Sequence, residues 1–183
     1  DEAVEVEAKK GKVELLENKL YNKLEDNYHL SNKKALFINM KNYYDACGAD
    51  PFDSLPVTFH VKNGVEDPEF SRFKHFYQNL AEAGKEEKNH NIWILKPGEN
   101  TNRGIGIQVA KDWPEIEQII KDSTTNTRKT CIVQRYIHNP LLINKRKFDI
   151  RVFAVGTSVH SNFKTYFYQE GYLRTSCREF SLN

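Results

Sequence analysis

No stretch of this 183-residue sequence approaches the ~20 consecutive apolar residues that a membrane-spanning helix requires. The N-terminus lacks a basic segment followed by an apolar one, so no secretory signal is expected either. The three cysteines, Cys47, Cys131 and Cys177, are odd in number, far apart and never in a C-x-x-C pair. They indicate neither a disulfide framework nor a zinc site, and they point to a reducing, cytosolic setting. No charge of one sign dominates: 27 basic residues against 25 acidic ones leave a net +2, so no global field directs the chain to nucleic acid or to a membrane. Internal repeats and low-complexity tracts are missing too. Asp1 rather than Met opens the chain, the expectation for a piece of a longer protein.

What is present is a folding composition. Hydrophobic residues make up 39% and aromatics 12%, with eleven Phe and nine Tyr, which is too rich for a disordered chain even at 28% charged residues. The length suffices for one domain or two small lobes, since chains of ~150 residues bury most of their apolar surface.

Along the chain, Val13, Leu16, Leu20 and Leu24 recur at helical spacing within a highly charged segment 1–34, predicting an amphipathic helical leader. Residues 36–61 are dense in aromatics and broken by Gly48, Pro51 and Pro56, which predicts a small irregular lobe. Asp67 before Pro68 reads as an N-cap, and Phe70, Phe73, Tyr77 and Leu80 form the buried stripe of a helix that Gly84 can end. Residues 82–91 read as an exposed loop, 92–95 as a strand and 114–121 as a helix. Strands are expected over 130–136 and 148–159, and a hairpin pairing 163–168 with 172–175 about Gly171. Strands interleaved with helices indicate an α/β or α+β fold.

Three segments carry chemistry. The strand 92–95 delivers Lys96 into a loop holding Gly98, Gly104 and Gly106, where backbone N–H groups and an ammonium can meet phosphate. This is not the Walker A pattern, because Lys96 precedes both later glycines, and by itself the segment describes a surface hairpin equally well. Gln134, Arg135, Tyr136 and Ile137 end an apolar strand before Pro140, where backbone donors and acceptors can read an adenine edge; alone, this is also what any strand end beside a connection looks like. Lys147, Asp149 and Arg151 alternate with Phe148, Ile150 and Val152, so the charged three are expected to face a cleft and the apolar three the core. A charge ladder on a solvated strand is the competing reading, and Arg174 is a further cation that could fold over the same site.

In combination the motifs resemble the tubulin–tyrosine-ligase-like family, within the ATP-grasp fold. The resemblance rests on K-P-G-E-N-T-N-R-G-I-G-I from Lys96, Q-R-Y-I from Gln134 leading to P-L-L-I from Pro140, R-K-F-D-I-R from Arg146, and Y-Q-E-G-Y-L-R-T-S from Tyr168. It covers about residues 36–183 and is clearest from residue 91. It implies an incomplete ATP-grasp-like α/β (α+β) fold, two lobes around a nucleotide cleft with an N-terminal helical segment. The expected division is a charged helical leader at 1–34, an N-terminal or central lobe segment at 35–90, the ATP-grasp central lobe at 91–137 and the start of the C-terminal lobe at 138–183.

By the same likeness Lys96 contacts ATP phosphates, Arg103 and Gly104 lie in the phosphate-covering loop, and Gln134, Arg135, Tyr136 and Ile137 form the adenine hinge. Lys147 and Asp149 match nucleotide-binding positions, while Arg151 and Arg174 match arginines near the phosphates and acceptor. Arg135 departs from the family, which often has Lys there. The family's magnesium ligands, an Asp and a Glu-x-Asn pair, would lie beyond residue 183, so no metal ligand is assigned within the chain.

The resemblance implies ATP- and Mg²⁺-dependent ligation of an amino acid, glutamate first, onto glutamate side chains in the acidic C-terminal tails of tubulin. The route is an acyl phosphate. Glycine and then tyrosine are the alternative amino acids, and a non-catalytic nucleotide- or tubulin-binding fragment is the alternative class, since these residues alone are expected to be inactive. The setting implied is the cytoplasm and microtubule cytoskeleton, with cilia or basal bodies. Nucleic-acid binding through Lys145, Arg146, Lys147 and Arg151 is a poor third, because the interleaved aromatics are expected to be buried rather than offered for stacking.

Overall fold

The structure is a computed structural model, and it describes residue 24 and residues 26–83, 91–98, 104–125, 130–159 and 162–182. Its centre is a four-stranded antiparallel sheet of β1 (Thr58–Val61), β2 (Trp93–Pro97), β3 (Gln108–Ala110) and β4 (Cys131–Arg135), in the order β1-β4-β2-β3. Helices α1 (Tyr28–Ser31) and α2 (Lys33–Ala46) precede it, α3 (Pro68–Ala83) follows β1, and α4 (Trp113–Thr125) joins β3 to β4. Strands β5 (Phe148–Arg151), β6 (Ala154–Val159), β7 (Asn162–Phe167) and β8 (Tyr172–Thr175) complete the chain.

Alternation along the strands divides the sheet into two unlike faces. Leu95 faces Val133, which faces Phe59, while Trp93 faces Ala110. This row is buried beneath Phe70 and Phe73 of α3 and Ile116 and Ile120 of α4. Phe73 lies edge-on to Trp93 with ring centroids 4.8 Å apart, and Trp113 closes the cluster against Phe70 at 5.5 Å. The Trp93 indole N–H is satisfied by Asn91 Oδ1 at 2.6 Å.

Asp67 caps α3 as its sequence position predicts. Oδ1 accepts from Glu69 N at 2.8 Å, and Oδ2 accepts from Lys62 N at 2.8 Å and Asn63 N at 3.0 Å, so one carboxylate ties the end of β1 to the helix start. The helix runs to Ala83; Gly84 and the rest of the expected 82–91 loop up to residue 90 lie outside the described residues.

Four sequence expectations require correction. Residues 36–61 are not an irregular lobe, because α2 occupies the first part: Asn32 Oδ1 accepts from Lys34 N at 2.9 Å and Ala35 N at 3.1 Å and starts a helix of 14 residues. Segments 163–168 and 172–175 do not pair with each other. They form one leg of a two-stranded ribbon, β7 pairing with β6 and β8 with β5. Between Arg151↔Tyr172 and Ala154↔Phe167, three steps on one leg oppose five on the other, so residues 148–159 form two strands rather than one. Gly171 occupies that extra length, where a Cβ would stand 2.7 Å from Arg151 O. Finally, Phe148 is only half-buried while Ile150 and Val152 are 60% and 48% exposed, since among the described residues no layer covers this face of the ribbon. Of the leader stripe, Val13, Leu16 and Leu20 lie outside the described residues.

Removing the Asp67 cap tests the join between β1 and α3. Burial raises the Asp67 pKa, but the three backbone N–H bonds outweigh it and hold the carboxyl below its ordinary 3.8. A group depressed in the folded state contributes stability above its unfolded pKa and loses it as pH falls through the folded value. Asp67→Ala is therefore expected to cost about 1–2 kcal/mol in urea unfolding at neutral pH. The gap to wild type should narrow in acid, whereas a gap independent of pH would assign the loss to packing.

Candidate nucleotide site

The sheet face turned away from α3 and α4 carries the polar residues of the same strands. Thr58, Gln134 and Ile94 form one cross-strand row, and His60, Ile132 and Lys96 form the next. Lys96 extends diagonally to Gln134, its Nζ 2.6 Å from Oε1. The sequence reading proposed Lys96 and Gln134 separately, as a phosphate contact and a hinge residue; the antiparallel register makes them neighbours.

Both line a pocket of about 290 Å³ whose walls include Arg135, Tyr136, Ile137 and Lys147. Pro56, Ile94 and Pro140 supply its remaining apolar surface. The volume is near the lower end of small-molecule sites, ~300–1,000 Å³. A larger cavity of about 390 Å³ shares only Tyr136 with it and contains none of the other candidate residues.

Lys147 reaches this pocket from the segment after Pro140 through aromatic contacts. Its ammonium donates to the Tyr136 hydroxyl and lies 4.8 Å from the Tyr136 ring centroid and 5.0 Å from that of Phe180. Phe180 is fixed in turn by its N–H bond to Lys145 O at 2.8 Å. Two π-faces and a hydroxyl thus hold the ammonium in place. Phe180 was not a candidate from sequence, because an isolated aromatic in a polar tail gives no periodic signal.

Burial depresses the Lys96 pKa, and the positive charge of Lys33 depresses it further. Lys33, the first residue of α2, was read as part of a charged leader; the structure makes it an electrostatic neighbour of the site. An anion near Lys96 would relieve both penalties, because it favours the charged ammonium.

The remaining candidates divide. Arg135 and Tyr136 donate their backbone N–H groups to Val57 O at 2.8 Å and Ile92 O at 2.9 Å, so those donors are engaged in the fold rather than offered to a ligand. Asp149 and Arg174 face each other across β5 and β8 in a forked pair, Nε to Oδ1 at 2.6 Å and NH2 to Oδ2 at 2.9 Å. Hydrogen bonding between them, reinforced by their opposite charges, lowers the Asp149 pKa and raises that of Arg174. Asp149, Arg151 and Arg174 are exposed and do not line the pocket that holds Lys147. Gly104 is exposed, and Arg103 lies outside the described residues. Among the described residues no group of three or more His, Cys, Asp or Glu could hold a metal ion, and no step is assigned through one. No helix among them is long and apolar enough to cross a membrane.

Gly98 opens the glycine loop and is buried, with its N–H bonded to Thr130 O at 2.9 Å. A Cβ there would stand 1.9 Å from Thr130 Oγ1, so even alanine forces the Thr130 side chain, and with it the start of β4, to give way. Gly98→Ala is expected to destabilise the protein by about 1–3 kcal/mol in urea unfolding. Stability equal to wild type would show that the Thr130 side chain moves aside without cost.

Comparison with known proteins places the chain in a family. The model of a family described as "Tubulin-tyrosine ligase family" matches residues 12–183. Tubulin glycylase 3B of Drosophila melanogaster is 34% identical over 119 residues, covering 63% of this chain and 15% of that protein. Tubulin monoglutamylase TTLL4 of Mus musculus is 28% identical over 163 residues, covering 88% and 12%. The human "Probable tubulin polyglutamylase TTLL2" is 30% identical over 155 residues, covering 84% and 23%. The chain thus spans under a quarter of the length of these relatives. A crystal structure of the C-terminal domain of K. lactis Pby1, an ATP-grasp enzyme, superposes with a TM-score of 0.53 at 22% identity, covering 91% of this chain and 45% of that one. That likeness establishes the fold as ATP-grasp.

Proposed function

Since the chain belongs to the tubulin-tyrosine ligase family, we propose that the Lys96–Gln134 face is the nucleotide site of an ATP-dependent ligase that joins amino acids to tubulin. The observation that carries this reading is the convergence of Lys96, Lys147 and segment 134–137 on one pocket with apolar walls. A planar base fits between apolar surfaces, and phosphates fit beside the ammonium groups.

In this reading the γ-phosphoryl group passes from ATP to a carboxylate of the acceptor, giving an acyl phosphate and ADP. The amine of the incoming amino acid then attacks the acyl carbon, the amide forms, and inorganic phosphate leaves. Each step gathers anionic charge, and Lys96 and Lys147 are the groups of this chain assigned to hold it at the nucleotide. Ile137 and the other residues of 134–137 bound the base, Arg103 and Gly104 belong to the phosphate-covering loop, and Arg151 and Arg174 serve the acceptor end, with Asp149 orienting Arg174. The cleft lies between a lobe ending near residue 137 and one beginning near residue 138.

Glutamate is the proposed amino acid, supported by the glutamylase relatives, and the acceptors are acidic tubulin tails of the microtubule cytoskeleton, cilia included. Glycine is the second reading, favoured by the glycylase match. Residues 1–183 are proposed to bind nucleotide without complete turnover, no metal-ligand group being found among the described residues.

Calorimetry on residues 1–183 tests the reading. ATP should bind weakly, and Lys96→Ala should weaken it by a further tenfold or more, the effect of losing an ammonium–phosphate contact of ~1.5–3 kcal/mol. Equal affinity in the two proteins would remove Lys96 from the site. Labelled glutamate and glycine, offered separately with ATP, Mg²⁺ and tubulin, should not be incorporated by this chain; incorporation would show that its site is sufficient for catalysis.

A further inference from the structure

We propose that Thr58 is the positioning residue for Lys96, holding its ammonium at the pocket through the side-chain amide of Gln134. The inference deepens the nucleotide-site reading and rests on it. Thr58 is 3% exposed and lies directly opposite Gln134 across the β1–β4 ladder. Its hydroxyl donates to Pro56 O at 2.7 Å, Gln134 Nε2 donates to Thr58 Oγ1 at 2.8 Å, and Lys96 Nζ donates to Gln134 Oε1 at 2.6 Å.

Proton accounting gives this chain one direction. The single Thr58 proton is engaged by Pro56 O, so toward Gln134 the hydroxyl oxygen can only accept. The amide must therefore turn its NH₂ to Thr58 and its carbonyl oxygen to Lys96. The opposite rotamer would set NH₂ against an ammonium and carbonyl against an oxygen without a proton to give, leaving both ends of a half-buried amide unsatisfied. Thr58 thereby selects the amide orientation that presents an acceptor to Lys96, and the acceptor draws the ammonium across from β2 to β4.

The carbonyl also bears on charge. Burial and Lys33 both disfavour the protonated form of Lys96, and the Gln134 oxygen opposes them, since a hydrogen bond to the charged form favours that form. If the amide loses its anchor, Lys96 becomes both less fixed and more easily deprotonated. Pro56, the acceptor at the start of the relay, itself lines the pocket, so the whole chain of bonds lies at the site.

Two variants and two readouts decide the matter. Thr58→Val keeps the shape and removes the hydroxyl, while Thr58→Ser keeps the hydroxyl. The first readout needs no nucleotide: acetylation of Lys96 by limiting acetic anhydride at mildly alkaline pH, quantified by mass spectrometry against Lys74 and Lys121 on α3 and α4. Thr58→Val should raise Lys96 acetylation about fivefold relative to those two, the ratio expected for one lost hydrogen bond, and Thr58→Ser should match wild type. Gln134→Met, which cuts the relay one bond later, should reproduce Thr58→Val and serves if that variant folds poorly.

The second readout is affinity. Thr58→Val should weaken ATP by about fivefold and adenosine by less, and it should add nothing in a Lys96→Met background. Unchanged Lys96 reactivity in both Thr58→Val and Gln134→Met would overturn the proposal, as would equal losses for ATP and adenosine. If the wild-type chain bound no ATP, the nucleotide reading would fall, and Lys96 reactivity would still decide whether Thr58 governs the ammonium.

Discussion

The antiparallel register that sets Ile94 opposite Gln134 and Leu95 opposite Val133 is the constraint on which the rest of the molecule depends. Because side chains alternate, one choice of register sends Trp93, Leu95 and Val133 beneath the helices and sends Ile94, Lys96 and Gln134 to the other face. A slip of β2 by one residue would turn the Lys96 ammonium under Phe73 and Ile120 and turn Trp93 out of the core. Burying an unpaired ammonium is far costlier than losing any single apolar contact, so the aromatic core and the polar site hold each other in place. The energy that fixes the site therefore comes mainly from the opposite side of the sheet, where the Phe73, Trp93 and Trp113 rings pack.

Among the described residues, cations outnumber near anions around the pocket. Lys33, at the start of α2, and Lys96 repel one another, and Lys147 brings a third ammonium to the same pocket. The protein tolerates this through neutral partners: a glutamine carbonyl for Lys96, and a tyrosine hydroxyl and two rings for Lys147. Neutral partners orient an ammonium without cancelling its charge, which leaves the pocket suited to a polyanion. The Asp149–Arg174 pair differs, since there the opposite charges already satisfy each other.

Legibility from sequence followed the range of the interactions. Asp67 with Pro68, the stripe from Phe70 to Leu80 and the apolar strand before Lys96 are local signals, and each yields the element expected. Helix α2 was hidden because its start depends on a single Asn32 cap inside a segment that reads as a charged leader, and the glycine and prolines after it suggested irregularity. The pairing of β5 with β8 was hidden for a different reason. It joins residues more than twenty positions apart, and the unequal stretch near Gly171 conceals that β7 and β8 continue one leg. Burial of Ile150 was expected from alternation alone, but alternation gives only the side of a strand, and what covers that side is a tertiary fact. For the site, the sequence supplied the residue types and their order; the link from Lys96 through Gln134 to Thr58 is set by cross-strand register between segments nearly forty residues apart or more.

The central claim is that nucleotide binds the pocket on the Lys96 face of the sheet, which Lys147 also lines, rather than the face under α3 and α4. An ATP analogue bearing an acyl phosphate, which transfers its acyl group to a neighbouring lysine amine and releases the nucleotide, reads this out directly by peptide mapping. The account predicts acylation at Lys96 and Lys147, suppressed by excess ATP, with only background modification at Lys74 and Lys121. ATP-protected acylation at Lys74 or Lys121 with Lys96 and Lys147 unlabelled would contradict it.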